Sequence, residues 1–286
     1  MAYAGAWVYA EEWAIKLQEQ LDEPNKFMDI CDVRFTNMRV INNPYHADPT
    51  VTTLSRGTAY TYDSWAQTNQ SLTINQARRA TTFFDRADLA QSTFFDQMEA
   101  AKRQGILLNE RLEAAVYGDH ANFTNFGSGD ITGGTVADST TIIVSASNVD
   151  DVIRHVERVI IVANGQSVLN RNGGFIVWRP ADFQNLRAFM QANGFAVADE
   201  ALRAGATQGV NYMGFTHYSS NLLVANHVYA GVKKLHTLGV LRDTYGQIVV
   251  VDDPGDVSGI GVVSRVDYGL LVPNNYLPVL LDVNVA

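Results

Sequence analysis

Between residues 94 and 115 the apolar positions fall at Phe94, Met98, Ala101, Gly105, Leu108, Leu112 and Ala115, a strict 4–3–4–3 alternation. Only an α-helix gathers such positions into one continuous stripe. The pattern predicts a long helix over 88–117, the strongest in the chain. Gly105 costs about 1 kcal/mol against Ala inside a helix. Its place on the stripe therefore points to close approach of another backbone, and Gly118 reads as the C-terminal cap. A helix with one long apolar stripe must bury it against a sheet or another helix.

The stretch before this helix is its opposite. Residues 50–84 read as two extended arms, "TVTTLSRGTAYTY" outward and "SLTINQARR" returning, around the polar tip "DSWAQTNQ". Threonine and tyrosine favour strand, but the arms carry few large aliphatic side chains. A two-stranded hairpin is marginal alone in water, so this one must lie on another surface, its own domain or a neighbouring subunit.

The remaining pattern is mixed. Trp7, Ala10, Trp13, Ala14, Leu17 and Leu21 predict an amphipathic helix over 7–22, ended by Pro24. Residues 27–45 read as irregular and partly extended. A long polar stretch over 118–149 passes into the strand-like "IIVSAS", and a helix follows with Val152, Val156, Val159 and Ile160 inward. A strand "GGFIVW" (173–178), a helix opened by Pro180 and closed by Gly194, a strand "YMGFTHYS", and a mostly stranded last fifty residues complete the order. The class is α+β, and 286 residues suit one large domain or two modest ones.

Charge and composition exclude several functions. The formal net charge is −9, without a run of Lys or Arg, so generic DNA binding is disfavoured. No apolar run approaches the roughly 18 residues of a membrane span. Glu11 and Glu12 interrupt what a secretory signal needs to be apolar, and one cysteine permits no intrachain disulfide; the reading is cytoplasmic. Cys31, between Met28, Ile30 and Val33, reads as a small buried hydrophobe.

Motifs for chemistry are sparse. The six histidines form no i,i+4 helical pair and no HExxH, and a thiolate zinc site is excluded. A metal held by distant His and Asp stays open. "GSGDITGG" (127–134) lacks the Gly-Lys-Ser/Thr of a phosphate loop and reads as a flexible loop. "VDDPGD" (251–256) could hold a cation but reads as a turn. Asp85 and Asp96 invite an acid–base reading, yet nothing converges on them, and Asp96 is expected to face solvent. They belong to a repeat, TTFFD at 81–85 and STFFD at 92–96. Thr81, Thr82 and the two Phe favour strand, whereas Asp88 and Gln91 form a capping box that starts a helix near 89. The first copy should end the returning strand, with Phe83 and Phe84 on opposite faces. The second should sit in the first turns of the helix.

The order of elements resembles the major capsid protein of tailed bacteriophages, with the Hong Kong 97-like coat fold also found in encapsulins. "RGTAYTYDSWAQTNQSLTINQARRATTFFDRADLAQS" is similar to that family's extended loop returning into its spine helix, and "AKRQGILLNERLEAAVYGDH" to the rest of that helix. "NGGFIVWRPADFQNLRAF" and "ALRAGATQGVNYMGFTHYSSN" are similar to successive passages of its axial domain. The resemblance implies an N-terminal arm (1–46), an extended loop (47–86), a spine helix (87–120), an axial domain (121–236) and a C-terminal β region (237–286). It also implies assembly into pentamers and hexamers, a shell around double-stranded DNA held without sequence preference, and portal, scaffold and decoration partners. The location implied is the virion, after assembly in host cytoplasm. No catalytic, cofactor or metal residues follow from it. Intersubunit contacts are expected at Trp7, Trp13, Arg56, Trp65, Arg78, Arg79, Arg86 and Arg103. Residues 43–84 contain no Lys, so the loop crosslink of some members has no donor here, and the short leader implies a separate scaffold or none. The alternatives are an encapsulin-like compartment and a soluble enzyme with a scattered active site.

Overall fold

The computed structural model describes residues 25–46, 49–60, 62–63, 67–87, 97–133, 138–193, 209–252, 254 and 258–286. The helix expected over 7–22 with Trp7 and Trp13, the arm-tip Trp65, the Asp88–Gln91 box and the second repeat STFFD lie outside the described residues.

One helical turn, α1 (Phe27–Ile30), opens into β1 (Asp32–Thr36). The arm follows. Its outgoing strand is β2 (Val40–His46), earlier than the 50–62 expected from the sequence, and it pairs antiparallel with β3 (Gln67–Thr73). Pro44 sits in β2, which is tolerable because β2 has β3 alone as its neighbour among the described strands. The stretch between them is exposed at every described residue from 49 to 63, with Val51 at 97% and Tyr62 at 90%.

The arm returns through β4 (Gln76–Asp85) into helix α2 (Gln97–Gly118). Phe83 is exposed and Phe84 half-buried, so the two do face opposite ways. α2 rests on β4 and on the long strand β12 (Gly259–Leu271). Ala101, Leu108 and Leu112 of the stripe are buried. Gln104, beside the stripe, is also buried: its Nε2 donates to the Val262 carbonyl (3.0 Å) and Thr82 Oγ1 (2.8 Å), and Ser264 Oγ donates to its Oε1 (2.8 Å). An interior amide with all these partners locates the helix on the sheet more sharply than apolar contact does.

Two glycine expectations are corrected. A Cβ on Gly105 would meet nothing within 4 Å, so no backbone crowds it. The close approach lies at Gly269 of β12 instead, where a Cβ would fall 2.3 Å from the Thr73 carbonyl oxygen at the base of the arm. Gly118 keeps right-handed helical angles, and the chain runs on into a 3-10 turn over Asp119–Asn122 rather than being capped.

β12 organises the first sheet. β4 pairs along one side of it; β10 (Thr237–Leu241) and β11 (Ile248–Asp252) share the other, and β1 adds in parallel to β10. The second sheet has the order β5-β13-β9-β6-β8-β7. Its strands are β5 (Thr124–Phe126), β6 (Gly174–Trp178), β7 (Val210–Tyr212), β8 (Phe215–Ser219), β9 (His227–Val232) and β13 (Leu280–Asn284). β6 is buried at every residue, which is why it reads as an uninterrupted apolar run.

Helices α4 (Val149–Val162) and α6 (Pro180–Ala192) pack on each other and cover this sheet. The buried face of α4 is Val149, Val152, Ile153, Val156, Val159 and Ile160, a helical period. Three expectations fail locally. "YMGFTHYS" is a hairpin, because Met213 (φ 48) and Gly214 (φ 76) form the two-residue turn between β7 and β8. "IIVSAS" contributes a single bridge, Ile142 to Val285. "GSGDITGG" contains a helical turn, α3 (Ser128–Ile131), in which buried Asp130 accepts the Gly127 and Asp138 N–H groups. A further short helix, α5 (Gln166–Asn172), had no clear sequence signal.

Candidate functional site

Asp85 is exposed and accepts the Ala87 N–H (2.7 Å); Asp96 lies outside the described residues. Cys31 is fully buried, and desolvation pushes its thiol well above the ordinary range, away from nucleophilic use. Asp252, in the "VDDPGD" turn, is taken by Arg86 (2.8 Å), both ends exposed.

What the fold does present is surface suited to a partner. Arg78 of β4 and Arg111 of α2 line an open cleft of about 810 Å³, with Leu107, Leu108 and Tyr268 on its walls, while Arg79, the next residue of the strand, is directed to the opposite face. Arg78 and Arg79 are exposed, Arg103 is half-buried on α2, and Arg56 is exposed in the bend of the arm. Arg79 stands directly across from Arg265 in the β4–β12 register, and Arg265 is paired with Asp267 (2.9 Å). β11 adds an apolar edge: Ile248, Val249, Val250 and Val251 are 37–52% exposed. Apolar side chains on both faces of an edge strand mark an interaction surface.

A second set of polar groups lies at the foot of α2. In α2 itself, fully buried Glu113 accepts the Lys26 backbone N–H (2.8 Å) and the Tyr117 hydroxyl (2.7 Å). The 3-10 turn that follows sends consecutive side chains to different partners: Asp119 meets His236 Nε2 (3.0 Å), and His120 Nδ1 meets Asp282 Oδ2 (3.2 Å). His227 Nδ1 reaches the same carboxylate at 2.8 and 2.9 Å, and the two imidazoles lie 3.9 Å apart between centroids. Asp282 is buried. Positions 120, 227 and 282 have no telling spacing, so sequence reasoning named no metal ligands; the pairing of β9 with β13 brings His227 to Asp282, and the turn after α2 adds His120.

His217 is the buried histidine with the clearest electrostatics. The indole of Trp178 donates to its Nδ1 (2.9 Å), which fixes the proton on Nε2, facing the Tyr212 carbonyl (3.2 Å). Desolvation lowers its pKa to about 4 from 6.5. On acidification the unfolded chain takes up the proton first, so this histidine's contribution is complete above pH 6.5 and is lost as pH falls toward 4. The span corresponds to about 3 kcal/mol. Urea unfolding of unassembled protein at pH 7.5 and 4.5 should show that loss, and His217→Gln should flatten it; an equal slope in both proteins would refute the assignment.

No family model matches the chain, and no curated protein matches it in sequence. Solved structures do match over nearly its full length. A structure of Mycobacterium phage Che8 is similar over 98% of this chain and 98% of its own, with a TM-score of 0.76 at 17% identity. The capsid of an empty GTA particle matches over 100% and 98%, at 0.71 and 15%. The capsid of Cyanophage P-SCSP1u matches over 98% and 93%, at 0.65 and 13%. Identities this low establish fold: the α+β architecture is the Hong Kong 97-like capsid fold.

Proposed function

We propose that this chain is the major capsid protein of a tailed phage, assembling as pentamers and hexamers into an icosahedral shell around double-stranded DNA. The observation that carries the reading is the likeness to capsid structures along the whole chain, the arm included. The arm then has a physical purpose: its described residues between 49 and 63 are all exposed on their own chain, so it gains order across a neighbour. In this reading residues 1–46 are the N-terminal arm, 47–86 the extended loop, 87–120 the spine helix, 121–236 the axial domain and 237–286 the C-terminal β region. The net charge of −9 suits a container that must not adhere to packaged DNA. Portal, scaffold and decoration proteins are the partners to seek, in the virion and in the host cytoplasm during assembly, and the role is structural rather than enzymatic.

Trp7, Trp13, Arg56, Trp65, Arg78, Arg79 and Arg103 are the proposed contacts with neighbours. Arg86 ranks below them because Asp252 of its own chain engages it. Arg79→Glu separates assembly from folding. Within the chain it replaces a like-charge pair with Arg265 by an attractive one, so the subunit should fold at least as well as before. Between chains it reverses the charge on the exposed face of β4. Negative-stain microscopy should show shells or capsomers from the parent protein and far fewer from this variant. Normal shells from Arg79→Glu would remove it from the interface, and absence of particles from the parent, with or without a scaffold, would overturn the reading. Shells filled with a protein cargo would redirect it to an encapsulin-like compartment.

A further inference from the structure

The imidazoles of His120 and His227 and the carboxylate of Asp282 belong to three elements far apart in the chain: the turn after α2, the start of β9, and β13. We propose that these three side chains bind one divalent transition-metal ion of the zinc class, a property separate from assembly. The donor set selects the metal. Two imidazoles and one carboxylate suit zinc and its first-row neighbours, whereas calcium and magnesium prefer oxygen alone.

Geometry supports the assignment. Metal–nitrogen and metal–oxygen bonds near 2.0–2.1 Å place tetrahedral donors about 3.3 Å apart. His120 Nδ1 lies 3.2 Å from Asp282 Oδ2, and His227 Nδ1 lies 2.8 Å from Oδ1. All three donor atoms fall within 4.8 Å of one another. Side-chain adjustment within that spread brings the donors around one ion, with each imidazole proton carried on Nε2 while Nδ1 faces it. The burial gradient also fits: the carboxylate is 3% exposed and the imidazoles 24% and 25%, so an ion arriving from solvent meets nitrogen first and the interior charge last. Three protein ligands leave a position for water, the pattern of an open site.

A bound ion would tie the foot of the long helix to two adjacent strands of the second sheet. It would close a chain segment of 162 residues between His120 and Asp282. Because only the folded chain holds the three donors together, zinc should also raise the unfolding temperature.

The test uses the purified full chain, stripped with chelator and titrated with zinc against a chromophoric competitor. One equivalent per chain, at micromolar affinity or tighter, is expected. The His120→Gln/His227→Gln double variant should lose at least tenfold in affinity and lose the zinc-dependent rise in unfolding temperature. Cobalt(II) should give visible absorption of a low-coordinate site in the parent and not in the variant. No zinc binding by the parent, or equal binding by the double variant, would overturn the proposal. If the double variant does not fold, His120→Gln alone, at a position one-quarter exposed, gives the same reading: unchanged affinity refutes the site.

Discussion

Replacing residues 47–66 by a two-residue Asn-Gly turn is expected to abolish shell assembly and leave the subunit folded. The design follows from the register. His46 and Gln67 are partners across the arm, so a two-residue turn with positive φ at both positions closes β2 onto β3 without shifting either strand. No described residue of the excised stretch belongs to the core, since those between 49 and 63 are all exposed. The base that does contribute remains: Leu72 is buried and packs over Gly239, and Gln70 donates to the Val272 carbonyl (3.2 Å). Unfolding midpoint and circular dichroism of the shortened chain should match the parent within experimental error. Electron microscopy should show subunits or disordered aggregates in place of shells. Shells of normal size from the shortened chain would mean that the arm is an ornament and that assembly rests on other surfaces.

The largest loss of stability from a single change is expected at Trp178. Its side chain is wholly buried at the end of β6, and its indole holds His217 in one tautomer. Trp178→Ala removes a large aromatic from a close-packed interior, at about 3–5 kcal/mol. It also strands a buried imidazole acceptor, which adds about 1–3 kcal/mol unless water enters. Domains are stable by about 5–15 kcal/mol, so little soluble protein should survive. Trp178→Phe keeps most of the volume and lacks the donor; a loss of about 1–2 kcal/mol would assign that part to the hydrogen bond. Urea unfolding of unassembled protein measures both, and a Trp178→Ala change below about 1 kcal/mol would contradict this account of the core.

The parts of the fold legible in sequence are those governed by local periodicity. The stripe of α2, the buried face of α4 and the apolar run of β6 each follow from one rule of side-chain direction. The arm is legible but its outgoing strand is not, because "TVTTLSRGTAYTY" is richer in strand formers than Val40–His46, which carries Asn42, Asn43 and Pro44. That segment is a strand because β3 lies beside it, not through its own preference. The close contact that the stripe suggests for Gly105 belongs to Gly269, since a glycine shows that room is available and not what fills it. The cleft arginines could be named from their place between arm and helix. The His120–His227–Asp282 cluster could not, since it exists only through the pairing of β9 with β13 and the meeting of both with a turn 162 residues before Asp282.

The position of β13 bears on how the chain is made. β13 lies between β5 and β9, joined in parallel to Thr124–Phe126 and antiparallel to His227–Val232. β5 therefore has no sheet to join until residue 284 has left the ribosome. At about 5–20 residues per second, translation from 124 to 284 takes roughly 8–30 s. The second sheet stays open through that interval, and from the synthesis of Val232 onward the edge of β9 that will receive β13 is bare. A nascent chain can thus complete its early helices yet cannot present a finished subunit to its neighbours on the same messenger. The strand that completes the second sheet is thus among the last parts of the subunit to be made.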